Sequence, residues 1–256
     1  MSVISLAIQK GGSGKTTTAI NLAATLQQVG RTVLLVDLDP QANLTQALGV
    51  TDWPERSIYH LLRETAIGQE ANVEEIMMET NGLKFVPASL ELAGAELELV
   101  SAYGREFFLR KLLTPVKDKF DYIFIDSPPS VGMLTVNALA ASDGVLMPLN
   151  AEFFHLKGVE SFLKHFETIR KAVNPNLNIV GFVLTKFDPR KNMNRAVQAT
   201  LKEKFPDKVF DTTIRVNITI AKAQEAGTDI FSFDRFSNGA MDYLDLASEF
   251  LKKTEG

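Results

Sequence analysis

One short segment constrains the fold of this 256-residue chain more than any other part of the sequence. It reads Lys10-Gly11-Gly12-Ser13-Gly14-Lys15-Thr16-Thr17 and lies between the apolar run Val3–Gln9 and the helical pattern Thr16–Val29. Glycines let a backbone wrap around an anion with successive N–H groups pointing at it, and the helix N-terminus adds its dipole. Because this strand–loop–helix context is the one that a phosphate-binding loop requires, we predict that Lys15 reaches phosphates and that the Thr16 hydroxyl holds Mg²⁺.

The remaining apolar pattern predicts an α/β fold. Short β-branched runs are found at Thr32–Asp37, Tyr122–Asp126, Gly144–Leu149 and Ile179–Thr185. Such runs, separated by helical patterns, are typical of a parallel sheet that is buried on both faces. We therefore predict a doubly wound, mostly parallel sheet with helices on both faces, forming a single domain over residues 1–256.

Two regions outside this alternation carry weaker patterns. Residues 51–105 are less regular, and we expect small helices packed around the short strand Lys84–Pro87; the role of this region is open. The C-terminal pattern Ala240–Lys252 predicts a closing helix. Its expected apolar face consists of Met241, Leu244, Leu246, Ala247, Phe250 and Leu251.

The composition excludes several classes of site. The chain has no cysteine, so it has no disulfide, thiolate nucleophile, Fe–S cluster or cysteine-built zinc site. The three histidines, His60, His155 and His165, are too scattered to indicate a metal site. No apolar run reaches about 18 residues, and the N-terminus lacks the basic and apolar regions of a signal peptide. We expect a cytoplasmic protein.

Carboxylates follow two of the predicted strands. Asp37 and Asp39 end the second strand, in the sequence Asp-Leu-Asp-Pro-Gln, and Asp126 ends the run Tyr122–Asp126. Carboxyl ends of parallel strands face the ligand crevice of such folds, and an apolar strand that ends in aspartate is typical of a Mg²⁺-holding Walker B segment. A capped turn is the alternative interpretation of Asp37 and Asp39, and a buried strand that ends in a helix cap is the alternative for Asp126.

The loop departs from the general phosphate-loop pattern, because Gln9 replaces its first glycine and a second lysine, Lys10, begins it. This form resembles the deviant loop of the ParA/MinD ATPases, and the segments Asp37–Gln41 and Asp126–Pro129 are similar to that family's second and third motifs. The resemblance, which covers essentially the whole chain, is to ParA/Soj-like partition ATPases of the short type, without an N-terminal DNA-binding extension. It implies ATP and Mg²⁺ as cofactors and an ATPase that is slow unless a partner stimulates it.

The resemblance also implies roles for individual residues. Lys10 reaches the partner's nucleotide across an ATP-bound homodimer, Asp39 positions the attacking water, and Asp37 supports Mg²⁺ or its waters. Asn217, in Arg215-Val216-Asn217-Ile218-Thr219, matches a family position near the adenine. The alternative for Asn217 is a loop asparagine bonded to its own backbone. The family's proline and second arginine are replaced here by Arg215 and Thr219.

Charge is distributed unevenly along a chain with a net charge of −4. Residues 52–106 hold eleven acidic and four basic side chains, whereas residues 186–222 hold nine basic and four acidic ones. A basic segment can bind DNA without sequence preference through phosphate contacts. The candidate contacts are Arg190, Lys191, Arg195, Arg215 and Lys222.

The expected function is an ATP-dependent switch that binds nonspecific DNA as a dimer, associates with the nucleoid and partitions a plasmid or chromosome with a ParB-like partner. Three alternatives remain. A relative could position a protein cargo on the nucleoid, a MinD-like ATPase could bind a membrane, and a ligase of the dethiobiotin-synthetase type could share the fold. The short C-terminal tail after the closing helix offers little apolar face for a membrane, so no membrane partner is expected. The Fe–S relatives are excluded by the absence of cysteine.

Overall fold

Eight strands and eleven α-helices alternate along residues 2–153 and 156–255, the part of the chain that this computed structural model describes. The strands are β1 (Ser2–Leu6), β2 (Val33–Asp37), β3 (Met78–Thr80), β4 (Leu83–Val86), β5 (Tyr122–Asp126), β6 (Gly144–Asn150), β7 (Asn178–Phe187) and β8 (Val209–Arg215). The helices are α1 (Lys15–Gln28), α2 (Asn43–Ala47), α3 (Ile58–Ala66), α4 (Leu92–Glu98), α5 (Phe108–Leu113), α6 (Met133–Ala141), α7 (Leu156–Ala172), α8 (Asn192–Lys204), α9 (Ile218–Glu225), α10 (Ile230–Asp234) and α11 (Asn238–Glu255). His155 lies outside the described residues.

The strands form one sheet in the order β3-β4-β2-β5-β1-β6-β7-β8. Every pairing is parallel except that of β3 with β4. The loops that follow the parallel strands therefore meet at one edge of the sheet, the edge where ligands bind in such folds. The register of β2 with β5 places Asp37 directly opposite Asp126 at this edge.

Both faces of the sheet are covered. In β2, Val33 and Leu35 pack with α1 and α11, whereas Leu34 and Val36 pack with α3 and α5 on the other face. Successive side chains of a strand point to opposite faces, so a strand that is apolar at every position is buried on both. A third apolar cluster lies between β6, β7 and helices α7 and α8. None of the helices in the described ranges is long and apolar enough to cross a membrane.

The predicted doubly wound architecture is confirmed, with shifts at the ends of its elements. The run Val3–Gln9 is a strand only over Ser2–Leu6, because the backbone turns at Ile8, whose carbonyl accepts from Lys10 N. Strand β7 extends beyond the predicted Ile179–Thr185 at both ends. Strands β3 and β8 were not predicted: β3 is very short, and the β8 sequence Val-Phe-Asp-Thr-Thr-Ile-Arg mixes polar and apolar residues as an edge strand does.

The predicted apolar face of the closing helix is wrong in part. Helix α11 buries Ala240, Tyr243, Leu246, Ala247 and Phe250, whereas Met241 and Leu244 are 46% and 37% exposed. The buried positions recur every three or four residues and face α1 and β8. The helix is rotated relative to the prediction because Tyr243 is a large aromatic residue that belongs to the core, and Met241 does not share its face.

The α11 packing gives a matched pair of substitutions. Phe250 is fully buried, and its ring centroid lies 5.3 Å from that of Tyr122 and 5.7 Å from that of Phe124. We expect Phe250→Ala to lower the free energy of unfolding by about 3–5 kcal/mol, because it leaves a cavity. Met241→Ala on the exposed face is expected to change it by about 0.5 kcal/mol or less. Urea denaturation of both variants measures the difference, and equal losses would contradict the observed orientation of α11.

Candidate nucleotide-binding site

The predicted phosphate loop joins β1 to α1. Gly12 and Gly14 have φ angles of 68° and 92°, in the left-handed region that favours glycine. Gly14 is the N-cap of α1, and a Cβ at this position would lie 3.3 Å from the Thr185 side chain of β7. These two glycines therefore give the loop its curvature at the start of the helix, where backbone N–H groups are available to an anion.

Lys15 is the first residue of α1 and is buried at the base of the loop. Its Nζ donates to the Lys10 carbonyl at 3.3 Å. Burial lowers the pKa of Lys15, while the nearby carboxylates of Asp126 and Asp39 act in the opposite direction. A desolvated ammonium group at a helix N-terminus is stabilised by an anion, which is the property that a phosphate site needs.

The loop is tied to the sheet through its threonine. Thr16 Oγ1 donates to Asp126 Oδ2 at 2.5 Å, so these two predicted Mg²⁺-site residues are in contact. Burial, and then the charge of Asp37, raises the pKa of Asp126 to about 8. Within the described part of the chain, Asp126 Oδ1 is a buried oxygen without a hydrogen-bond partner, and so is Ser13 Oγ in the loop. A hydroxyl beside an unsatisfied carboxylate oxygen is the donor set that a hard cation such as Mg²⁺ takes.

Asp37 and Asp39 have different surroundings. Asp37 is fully buried, and its carboxylate accepts from Thr45 N, Thr45 Oγ1 and Asp39 N. Burial raises its pKa to about 7. Asp39 lines the cavity beside the loop, and its Oδ1 accepts from Gln41 N at 3.0 Å. The predicted role of Asp37 near Mg²⁺ stays a prediction; what the geometry gives is a carboxylate that holds the segment carrying Asp39.

A cavity of about 720 Å³ lies beside the phosphate loop. Its lining comes from four parts of the chain: the loop itself, the segment from Asp39 to Ala47, Pro129 after β5, and Gln224–Glu225 at the end of α9. The sequence predicts the loop and Asp39 as site residues but does not single out the polar residues Gln41, Asn43 and Gln46 of this lining. Their position shortly after the end of β2 is the signal that could have identified them.

A second, smaller cavity of about 260 Å³ adjoins the first. It is lined by the phosphate loop, by Thr185 and Lys186 at the end of β7, and by the segment from Ile214 to Gln224. Asn217, the predicted base-proximal residue, lies in this lining and also caps α9, with its Oδ1 accepting from Thr219 N at 2.7 Å. Asn217 is therefore bonded to its local backbone, as the alternative interpretation expects, and it also lies beside the phosphate loop.

The predicted DNA-contacting residues lie at and beyond the carboxyl ends of β7 and β8. Arg190 and Lys191 follow β7, Arg215 ends β8, and Arg195 and Lys222 lie on α8 and α9. Several are already engaged in contacts. Arg190 pairs with Asp188 at 3.0 Å, Lys191 with Glu152 at 2.5 Å and Arg215 with Asp242 at 2.6 Å. Arg195 Nη1 donates to the Pro189 carbonyl, and Lys222 is exposed on α9. The basic excess of residues 186–222 is thus partly neutralised by neighbouring carboxylates, most of them outside that segment.

Comparisons with known proteins agree with this geometry. The family described as "AAA domain" matches residues 1–179. The chain is 42% identical to "Sporulation initiation inhibitor protein Soj" of Bacillus subtilis, covering 96% of this chain and 97% of that one. It is 40% identical to "Chromosome partitioning protein ParA" of Myxococcus xanthus, covering 98% and 88%. The structure of cobyrinic acid a,c-diamide synthase from Mycobacterium smegmatis with bound ADP and magnesium is 32% identical, with a TM-score of 0.86, over 100% of this chain and 96% of that one.

The buried carboxylate of Asp126 predicts a measurable pH dependence. Its pKa of about 8 in the folded protein lies above its ordinary value of 3.8, so between these pH values the folded chain binds more protons than the unfolded chain. This group therefore lowers stability progressively as pH rises from about 4 to about 8. Asparagine has no proton to release at this position. We therefore expect the free energy of unfolding of Asp126→Asn to fall less steeply with pH than that of the parent.

Urea unfolding between pH 5 and 8, without nucleotide or magnesium, measures this slope. Asp121→Asn is the control, because hydrogen bonds from Thr32 lower the pKa of the partly exposed Asp121 from its ordinary value of 3.8, so this carboxylate does not titrate between pH 5 and 8. Its curve should run parallel to that of the parent. Parallel curves for Asp126→Asn as well would contradict the prediction.

Proposed function

Because the chain belongs to the ParA/Soj family of partition ATPases, we propose that it is an ATP-dependent, dimer-forming switch that binds DNA without sequence preference and partitions a plasmid or chromosome. One observation carries the proposal: Lys15, the Thr16–Asp126 pair and Asp39 meet beside a single cavity at the carboxyl edge of the sheet. These are the groups that phosphoryl transfer needs, because its catalysis consists of positioning and charge stabilisation.

The site takes ATP and Mg²⁺. The residues fit both groups: the left-handed glycines and Lys15 fit a polyphosphate, and the Thr16 hydroxyl with the unsatisfied oxygen of Asp126 fits a cation with its waters. When bound, Mg²⁺ neutralises charge on the phosphates. We assign Lys15 to the β- and γ-phosphates, and Thr16 and Asp126 to the metal.

Asp39 is assigned to the attacking water. It lies at the cavity wall, with its backbone and side chain fixed by the short turn that leads into α2. In this arrangement the protein orients the nucleophile and stabilises charge without forming a covalent bond. The intrinsic rate is expected to be slow because a partner must complete the site. A ParB-like partner would raise the rate by completing the site.

Lys10 provides the link between nucleotide and dimer. Its carbonyl accepts from Lys15 Nζ, so the two lysines share one loop, yet Lys10 lies at its outer end and is only partly buried. We assign Lys10 to the phosphates of the facing subunit, so that two chains close only around ATP. Hydrolysis then separates them.

DNA binding by the closed dimer follows from the location of the basic side chains. The candidate residues lie at the carboxyl ends of β7 and β8 or on the helices that follow: Arg190, Lys191, Arg195, Arg215 and Lys222. Exposed ion pairs contribute about 0–1 kcal/mol, so DNA phosphates can replace the carboxylate partners of these residues. Dimer formation doubles the number of contacts, and the protein is proposed to be cytoplasmic and nucleoid-associated.

We also propose that residues 1–256 act as one ATPase domain. The family match ends at residue 179, but β7 and β8 extend the same sheet, and α11 packs against α1 and β8. The second half of the chain thus supplies one wall of the nucleotide cavities through Lys186, Asn217 and Gln224.

The two lysines of the loop give the first test. We expect Lys15→Ala to abolish ATP binding, because it removes the cation at the phosphates. Lys10→Ala is the matched variant: it should bind ATP as a monomer but fail to dimerise. Fluorescent-nucleotide titration and light scattering measure the two properties. Normal ATP affinity of Lys15→Ala would refute the phosphate-loop assignment.

The second test is a DNA titration with ATP, with ADP and without nucleotide, at several salt concentrations. We expect binding with ATP only, a steep salt dependence, and a weaker interaction for Arg190→Ala, whose side chain is 88% exposed. Lys171→Ala is the control, since the end of α7 lies at the opposite edge of the sheet.

DNA binding of equal strength with ATP, with ADP and without nucleotide would contradict the proposed ATP-dependent switch. Absence of any DNA binding would favour the membrane or protein-cargo alternatives, which co-sedimentation with liposomes distinguishes. An ATPase that needs a small-molecule acceptor for turnover would indicate a ligase instead.

A further inference from the structure

Thr45 is a fully buried threonine of α2 whose hydroxyl takes part in two hydrogen bonds. Its Oγ1 donates to Asp37 Oδ2 at 2.7 Å and accepts from Ala88 N at 2.9 Å. Its backbone N–H donates to the same Asp37 oxygen at 2.8 Å. One residue thus satisfies a buried carboxylate oxygen and a buried amide, two groups that are costly to leave unpaired.

The contacts continue from Asp37 to the cavity. The second oxygen of Asp37 accepts from Asp39 N at 3.2 Å, and the Asp39 carbonyl accepts from Ala42 N at 2.8 Å. Ala42 has a φ of 49°, so the turn between Asp39 and α2 includes a left-handed alanine, a conformation that costs free energy and needs surrounding contacts to persist. The Asp37 carboxylate therefore accepts hydrogen bonds from Asp39 at the start of this turn and from Thr45 of α2.

We propose that Thr45 is a positioning residue for ATP hydrolysis: through Asp37 it fixes the turn that presents Asp39 to the nucleotide cavity. This inference rests on the proposed function and adds to it a residue that touches neither phosphate nor metal. Displacements of about 1 Å at a reacting group can reduce turnover by roughly 100-fold, so a buried hydroxyl that controls this turn affects rate more than binding.

The same hydroxyl connects the turn to the region between residues 51 and 105. Ala88 follows β4, and the next residue, Ser89, lies with its Oγ 3.0 Å from Ser57 Oγ at the start of α3. The Pro87 carbonyl accepts from Ile58 N. The β4–α4 loop is therefore bonded both to the Asp39 turn, through Thr45, and to α3. This gives the middle region a structural role in holding the hydrolysis site.

Thr45→Val tests the proposal, because valine keeps the shape but removes the hydroxyl. We expect kcat to fall by roughly 10- to 100-fold while the Kd for ATP stays within about twofold, since Lys15 and the loop glycines are unchanged. Thr45→Ser, which retains the hydroxyl, should recover most of the rate. Asp39→Ala gives the reference for complete loss of the positioned carboxylate.

Thr65→Val is the matched control. Thr65 is also buried in a short helix, but its hydroxyl donates only to the Leu61 carbonyl of its own helix. We expect little change in kcat for this variant. An independent readout is amide hydrogen exchange in the nucleotide-free protein, where Thr45→Val should lose protection at Ala88 and in the turn from residue 39 to residue 45, and Thr65→Val should not.

The outcomes separate the two levels of inference. A parent protein without ATPase activity would refute the proposed function. If the parent hydrolyses ATP and Thr45→Val does so at the same rate, Thr45 is not a positioning residue. Loss of ATP affinity together with turnover, or an equal loss in Thr65→Val, would indicate a general structural role and would also overturn the proposal.

Discussion

The hydrogen bond from Thr16 to Asp126 joins the phosphate loop to the central sheet, and the arrangement of the site depends on it. It brings the start of α1 against the end of β5, where Lys15 and Asp126 are both buried. Burial disfavours the charged form of each, which lowers one pKa and raises the other. The site is therefore electrostatically costly as it stands, and binding of polyphosphate with a cation relieves both costs.

A second layer of contacts supports this centre. Asp37 lies opposite Asp126 in the sheet, but its oxygens accept hydrogen bonds from the turn and from α2. The two carboxylates therefore have different roles. Each oxygen of Asp37 has a protein donor, whereas Asp126 has an unsatisfied oxygen. Thr45 completes this layer, because its hydroxyl also accepts from Ala88 N and so joins the middle region to the site.

The ion pairs of the candidate DNA-contacting residues have a consequence for the proposed switch. Arg190, Lys191 and Arg215 are each held by a carboxylate, so their charge is available to DNA only in exchange for an exposed or partly exposed ion pair. Such pairs are weak, and the summed effect of several contacts decides binding. A monomer with few contacts would gain little from the exchange, whereas the proposed dimer would present twice as many. Under the proposed function, this favours DNA binding that depends on the ATP state.

The sequence by itself determined the phosphate loop, the buried strands β2 and β5 and the aspartates at their ends, because these depend on local spacing and on uniformly apolar runs. The tertiary structure decided which face of α11 is buried, since Tyr243 and Phe250 find their partners on α1 and β5. It also decided the ion pairs of the basic segment and the role of Thr45. Those contacts join residues that are distant in the chain, and no local pattern encodes such a pairing.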